Sequence, residues 1–241
     1  MLKIAEQNLK DTEGRKTFVC ADYRDIPSWL NEHKPQGIDA ALLDFGVNLQ
    51  HLEDAARGFS FGSDAPLDMR MDRSTKETAA AWLNRATEGQ IARALREYGG
   101  ERWAGPIAKQ IVKLRRDGGM RTTHSLVDAV LRAIPAAKRD KRIHPATRTF
   151  QAVRIQINEE LDGLEDAVVG MGRCLREGGR MVTISYHSGE DAAAKNAFKR
   201  LAAEGCDLIT KKPIRPTADE VRDNPNSRSA RLRALLKGTK Q

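Results

Sequence analysis

The chain has 241 residues, with 41 Lys and Arg against 33 Asp and Glu, a net charge of +8, and 40% hydrophobic residues. This is the composition of a globular chain with a sizeable core, not of a disordered one. No apolar run reaches the roughly 18–20 residues of a membrane span, and no signal-peptide core stands at the start. Cys20, Cys174 and Cys206 are too far apart in sequence for a disulfide framework or a paired-cysteine metal site, which fits a reducing, cytoplasmic setting.

Leu2, Ile4, Ala5 and Leu9 recur at helical spacing, so a helix is expected over residues 1–10. Thr17–Cys20 reads as a short strand. Ile38–Leu43 reads as a second strand, nearly all apolar and therefore expected to be buried on both faces. It runs into Asp44-Phe45-Gly46, which puts a carboxylate at the carboxyl end of a strand, where open α/β sheets bind ligands. Residues 74–143 read as a helical block, with capping boxes expected at Ser74–Glu77 and Thr87–Gln90. Phe150–Leu175 predicts one or two helices ended by Gly178-Gly179. A strand follows over Arg180–Ser185, then a helix over Ala192–Ala203 and a last strand over Asp207–Thr210. The remainder, 211–241, carries Pro213, Pro216 and Pro225 and reads as an extended tail. The pattern is α/β, interrupted by an all-helical insertion.

Charge is unevenly divided along this order. Residues 101–143 carry a net +7 and 211–241 a net +6, while 1–100 and 144–210 are slightly acidic. Two basic modules beside an acidic remainder point to a polyanionic partner, nucleic acid first and an anionic membrane second.

No phosphate-cradling glycine loop or zinc spacing is present, so no metal site is expected. Ser185-Tyr186-His187-Ser188 lacks the flanking glycines of a hydrolase elbow. Four segments stand out together: Asp44-Phe45-Gly46-Val47; Arg57-Gly58-Phe59-Ser60-Phe61 with Pro66–Asp72; His144–Gln151; and Ser185–Asp191. With Asn224–Arg231, they closely resemble, in order over residues 1–236, the bacterial small-subunit ribosomal RNA cytosine-N4 methyltransferase family.

The resemblance implies a class I, Rossmann-like methyltransferase sheet with an inserted all-α domain. The parts would be a partial cofactor-binding region over 1–73, the helical substrate domain over 74–143, the rest of the Rossmann-like domain over 144–210, and a basic tail over 211–241. It implies S-adenosylmethionine as methyl donor and the N4 amine of a cytidine in small-subunit ribosomal RNA as acceptor. Tyr23, Asp44 and His51 are then expected at the cofactor, with Asp44 also the catalytic candidate. His51 stands where the family has a glutamine. Arg148, Arg154, His187, Arg228 and Arg231 are expected at the RNA. The oligomeric state stays open, a dimer included.

The sequence also departs from that family. The glycine-rich GGHS-type loop and the two strands that begin the family's sheet do not occur in it. Asn48-Leu49 replaces a small hydroxyl pair, and Phe45 and Gly189 each replace a leucine. A sheet incomplete at its N-terminus and weak cofactor binding are therefore expected. The competing expectation is a non-catalytic RNA-binding relative. A third is a methyltransferase acting on another RNA or on a cell-envelope substrate.

Overall fold

The computed structural model describes residues 2–48, 54–74 and 77–238. The chain divides into two compact units, one made of residues 1–45 and 163–241, the other of residues 46–162.

The first unit holds the sheet. Helix α1 (Leu2–Asn8) and helix α2 (Ile26–His33) precede strand β1 (Ile38–Asp44). After the second unit come α8 (Leu164–Arg173), β2 (Leu175–Ser185), α9 (Ser188–Ala203), β3 (Cys206–Leu208), α10 (Ala218–Asp223) and β4 (Arg231–Lys237). The strand order is β1-β2-β4-β3, with β1 and β2 parallel and β4 antiparallel to both its neighbours. Parallel strands need a long crossover, and the one between β1 and β2 contains the whole second unit and α8. Val168, Val169, Met181, Ala197, Phe198, Leu201 and Leu235 form the buried core of this unit. Gly172 of α8 lets the helix meet α9, since a Cβ there would lie 2.3 Å from a Leu201 methyl.

Four expectations change here. Thr17–Cys20 pairs with no strand among the described residues. β1 is not buried on both faces. It is the edge of the four-stranded sheet, Leu42 is 67% exposed, and Ala40, Leu42 and Asp44 alternate onto one open face. Gly178-Gly179 do not end a helix. They lie inside β2, where the register against β1 shifts between Ile38 and Ala40. A Cβ on Gly179 would stand 2.8 Å from the Arg176 carbonyl oxygen. The tail, finally, is no tail. Its residues 231–237 form β4, inserted between β2 and β3, with Arg233, Ala234 and Leu235 buried. Alternating arginines concealed the strand, because their charge is compensated inside the fold.

The second unit is helical: α3 (Ala79–Arg85), α4 (Glu88–Glu97), α5 (Ala104–Leu114), α6 (Thr123–Ala133) and α7 (Thr147–Asn158). Leu83, Ile91, Leu95, Ile107, Ile111, Leu126, Val130, Phe150 and Val153 face one core. Burying such side chains contributes about 1.5–3 kcal/mol each before entropy is deducted. Thr87 and Gln90 make the expected capping box on α4. At α3 the cap is Thr78, whose hydroxyl accepts from the Ala81 amide, whereas Ser74 bonds back to Asp72.

This unit is wider than the 74–143 block that helical periodicity marked out. Residues 57–72 have no period to read, yet Phe59, Leu67 and Met69 are buried among the helices. The Leu67 amide donates to Arg121 and the Thr123 amide to Ala65, both through carbonyls at 2.9 Å. Gly58 makes the turn, with φ at +69° and no room for a Cβ, which would lie 2.3 Å from the Pro66 carbonyl oxygen. Arg57 ties the loop by donating to the carbonyls of Arg70 and Met71.

Candidate active site

Parallel strands β1 and β2 end side by side, with Asp44 opposite Ile184. Beyond them the chain turns through Tyr186 and His187 into α9, so one strand end collects a carboxylate, a phenol and a helix N-terminus. Open parallel sheets present ligand sites at this edge because the strand ends and the following helix N-termini converge there.

The Asp44 carboxylate is exposed and makes no ion pair with a cation among the described residues. The Tyr186 phenol lies close enough to feel its charge. Burial, together with the nearby Asp44 charge, raises the Tyr186 phenol above the ordinary range, so the phenol stays protonated and remains a donor.

The turn into α9 is rigidly wired. His187 is the N-cap: its Nδ1 accepts from the amides of Gly189 at 3.2 Å and Glu190 at 3.4 Å. Glu190 reaches back, its Oε2 accepting from the Tyr186 amide at 2.7 Å and the His187 amide at 3.3 Å. This is a capping box built from His and Glu. The His187 Nε2 lies 3.1 Å from Glu190 Oε1, out of line for a hydrogen bond. Burial pushes the Glu190 carboxyl up, but His187 and the two amides outweigh it and hold the group below its usual value.

One turn on, Asp191 joins the helix to the sheet. Its Oδ1 accepts from Arg233 Nε at 2.8 Å, and its Oδ2 lies 3.6 Å from Arg231 Nη1. Arg233 is 7% exposed, so β4 is pinned at the strand end by a nearly dry ion pair.

The expected site residues thus have different fates. Asp44 and His187 belong to one strand-end cluster with Tyr186. Arg231 also reaches this cluster, but against Asp191. Tyr23 sits in the turn before α2, half-buried, with the Arg24 guanidinium 5.8 Å above its ring. His51 lies outside the described residues. In the helical unit Arg154 is held by Glu160 through two hydrogen bonds of 2.8 Å, its side chain only 15% exposed. Arg148 makes no ion pair among the described residues and lines an open pocket. Arg228 is exposed in the short turn 225–229. The sequence reading singled out none of Tyr186, Glu190, Asp191 and Arg233, although the first three stand in its fourth motif. An acid three residues after a strand-ending His was the available signal for the cap. No comparable signal marks Arg233. The described residues contain no helix long and apolar enough to cross a membrane.

Comparison with known proteins gives a consistent picture. A sequence model described as the MraW methylase family matches residues 1–238. A protein of Geobacter sp. strain M21 named Ribosomal RNA small subunit methyltransferase H is 44% identical, the match covering 98% of this chain and 81% of the relative. Proteins of the same name from Syntrophus aciditrophicus and Symbiobacterium thermophilum are 43% and 41% identical. Those matches cover 96% and 98% of this chain, and 79% of each relative.

Proposed function

This chain belongs to the MraW methylase family, and from that membership we propose that it methylates the N4 amine of a cytidine in small-subunit ribosomal RNA, with S-adenosylmethionine as donor. The observation that carries the reading is the exposed Asp44 carboxylate at the carboxyl end of β1, beside the Tyr186 phenol.

The donor set suits the cofactor. A sulfonium with an ammonium is cationic, and Asp44 offers it a carboxylate that makes no ion pair with a cation among the described residues. Tyr23 adds a half-buried aromatic face in the same unit. When bound, the cofactor supplies an electrophilic methyl group. The cytosine amine is a poor nucleophile because its lone pair is delocalised into the ring. Positioning therefore carries much of the rate, since well-oriented reactants recover about 7–11 kcal/mol of barrier. In this reading Asp44 accepts a hydrogen bond from the amine, raising electron density on N4, and the protonated Tyr186 phenol stands beside it as a donor. The target base must leave its stack to reach a strand-end pocket. Arg148, Arg228 and free basic side chains of 101–143 contact RNA phosphates, which fixes register without reading sequence. Arg154 contributes by holding the end of α7 rather than by touching RNA.

The test is transfer of labelled methyl groups from S-adenosylmethionine to unmodified small ribosomal subunits. Mass spectrometry of the digested RNA should find N4-methylcytidine, and Asp44→Asn should lower kcat about 100-fold or more, as removal of a group acting on the reacting atoms does. Methylation unaffected by Asp44→Asn would refute the assignment.

A further inference from the structure

The helical unit contains a second site, separate in sequence from Asp44 and confined to residues 101–148. An open pocket of about 140 Å³ lies between the start of α5, the end of α6 and the loop leading into α7. Volumes of a few hundred Å³ upward suit drug-sized ligands, so this one fits a single planar ring system.

Its lining is unusual for a phosphate site. Glu101 is only 5% exposed, yet it is a carboxylate. Its Oε1 accepts from the Trp103 amide at 2.8 Å, and Oε2 accepts no hydrogen bond among the described residues. Trp103 itself is half-buried and lines the pocket beside Ile134 and Ile143. Lys138 and Arg148, also in the lining, make no ion pair among the described residues. Another wall is rigid: the His144 ring stacks on Phe61 at 4.6 Å and its Nδ1 accepts from the Ala146 amide. Arg139 is fixed by donating to the Ile134 and Leu131 carbonyls, so it caps α6 and is not available to a ligand.

The buried carboxylate disfavours an anion placed against it, even with Arg102, Lys138 and Arg148 elsewhere in the lining, and a purely apolar ligand would strand it. The combination suits a neutral flat ring with N–H donors, carried on a phosphate backbone. Unstacked RNA bases are read in this way, by stacking on an aromatic ring and by hydrogen bonds to their edges.

We infer that this pocket receives an unstacked RNA base bearing an exocyclic amine, guanine, cytosine or adenine, which donates to Glu101 and lies against Trp103. Lys138 and Arg148 neutralise the flanking phosphates. The inference depends on the proposed RNA substrate only for the source of the base. Its test needs neither the cofactor nor methyl transfer, so either reading can fail alone.

The probes are the pentaribonucleotides UUGUU, UUCUU and UUUUU, titrated into the full chain by calorimetry and tryptophan fluorescence. UUGUU and UUCUU should bind at least about tenfold more tightly than UUUUU, because uracil offers the carboxylate only its N3–H, flanked by two carbonyl oxygens that the charge repels. Glu101→Gln should erase most of that difference, lowering UUGUU affinity about tenfold and leaving UUUUU unchanged. Trp103→Phe should keep the affinity and lose the quenching signal, whereas Trp103→Leu should weaken all three. Lys138→Ala, at an exposed position that tolerates change, should weaken all three equally and flatten the salt dependence. Equal affinity for the three, binding to none, displacement by inorganic phosphate at equal affinity, or no effect of Lys138→Ala would each overturn the inference. Methyl transfer to small subunits, run in parallel, reports on the Asp44 site alone.

Discussion

Removing the Asp191 carboxylate should be among the most destabilising single changes in the sheet unit. Asp191 accepts from Arg233 at 2.8 Å, and Arg233 is 7% exposed. At that separation and an effective dielectric near 20, the bare Coulomb attraction is about 6 kcal/mol, most of it offset by the cost of desolvating both groups. Asp191→Ala removes the attraction but not the desolvation. The Arg233 charge stays buried beside β2, where its strand pairs at Thr183. Breaking a buried pair in this way costs about 3–5 kcal/mol. Arg231 adds little, since it is 3.6 Å away and better hydrated. Asp191→Asn keeps an acceptor at nearly the same place and should cost only about 1–2 kcal/mol. The double variant Asp191→Ala with Arg233→Leu should recover most of the loss, because a buried ion pair can be exchanged for apolar side chains at nearly no net cost. Urea unfolding at pH 7 measures all of these, with the slope unchanged if only stability moves. A cost below about 1 kcal/mol for Asp191→Ala, or no recovery in the double variant, would contradict the pinning of β4 described above.

Three further outcomes are expected. The Glu190 carboxyl titrates lower in the folded chain than in the unfolded one, so its stabilisation is complete above the unfolded value near 4.5 and is lost as pH falls through the lower folded value. Glu190→Gln should flatten stability against pH in that acid window and not above pH 6, and an unchanged acid limb would oppose the His187–Glu190 cap. Gly58→Ala should cost about 2–4 kcal/mol from left-handed backbone strain plus contact with the Pro66 carbonyl, read by thermal unfolding. A neutral result would mean that the loop around residues 57–72 is not held as described. Leu42→Thr should change stability by less than about 0.5 kcal/mol because the side chain is exposed, and a loss above 2 kcal/mol would show that its face is covered.

Much of the site could be read before the structure. The apolar run Ile38–Leu43 ending in Asp44, and the motif Ser185–Asp191 after a second strand, located the strand end, because a strand-to-helix turn leaves a local pattern. Thr87–Gln90 announced its capping box for the same reason. What escaped depends on non-local pairing. β4 reads as a charged tail until Asp191 is placed beside Arg233, and the exposure of β1 follows from its position at the edge of the sheet. Residues 57–72 carry no periodicity, so their burial among helices depends on hydrogen bonds to residues 121–123. Ser74 satisfied a capping pattern but lost the role to Thr78, four residues on, which begins the helix actually formed. Arg154 read as an RNA contact, and only the position of Glu160 decides its partner.

The central claim is that Asp44 and Tyr186 form the methyl-transfer end of the sheet. Its most direct test is nucleoside mass spectrometry of small-subunit RNA treated with S-adenosylmethionine and the wild-type, Asp44→Asn or Tyr186→Phe chain. N4-methylcytidine should form with the wild type, fall about 100-fold or more with Asp44→Asn, and fall less, about tenfold, with Tyr186→Phe, which removes the neighbouring donor and leaves the carboxylate. Absence of N4-methylcytidine with the wild type, or equal yield from all three chains, would contradict the account.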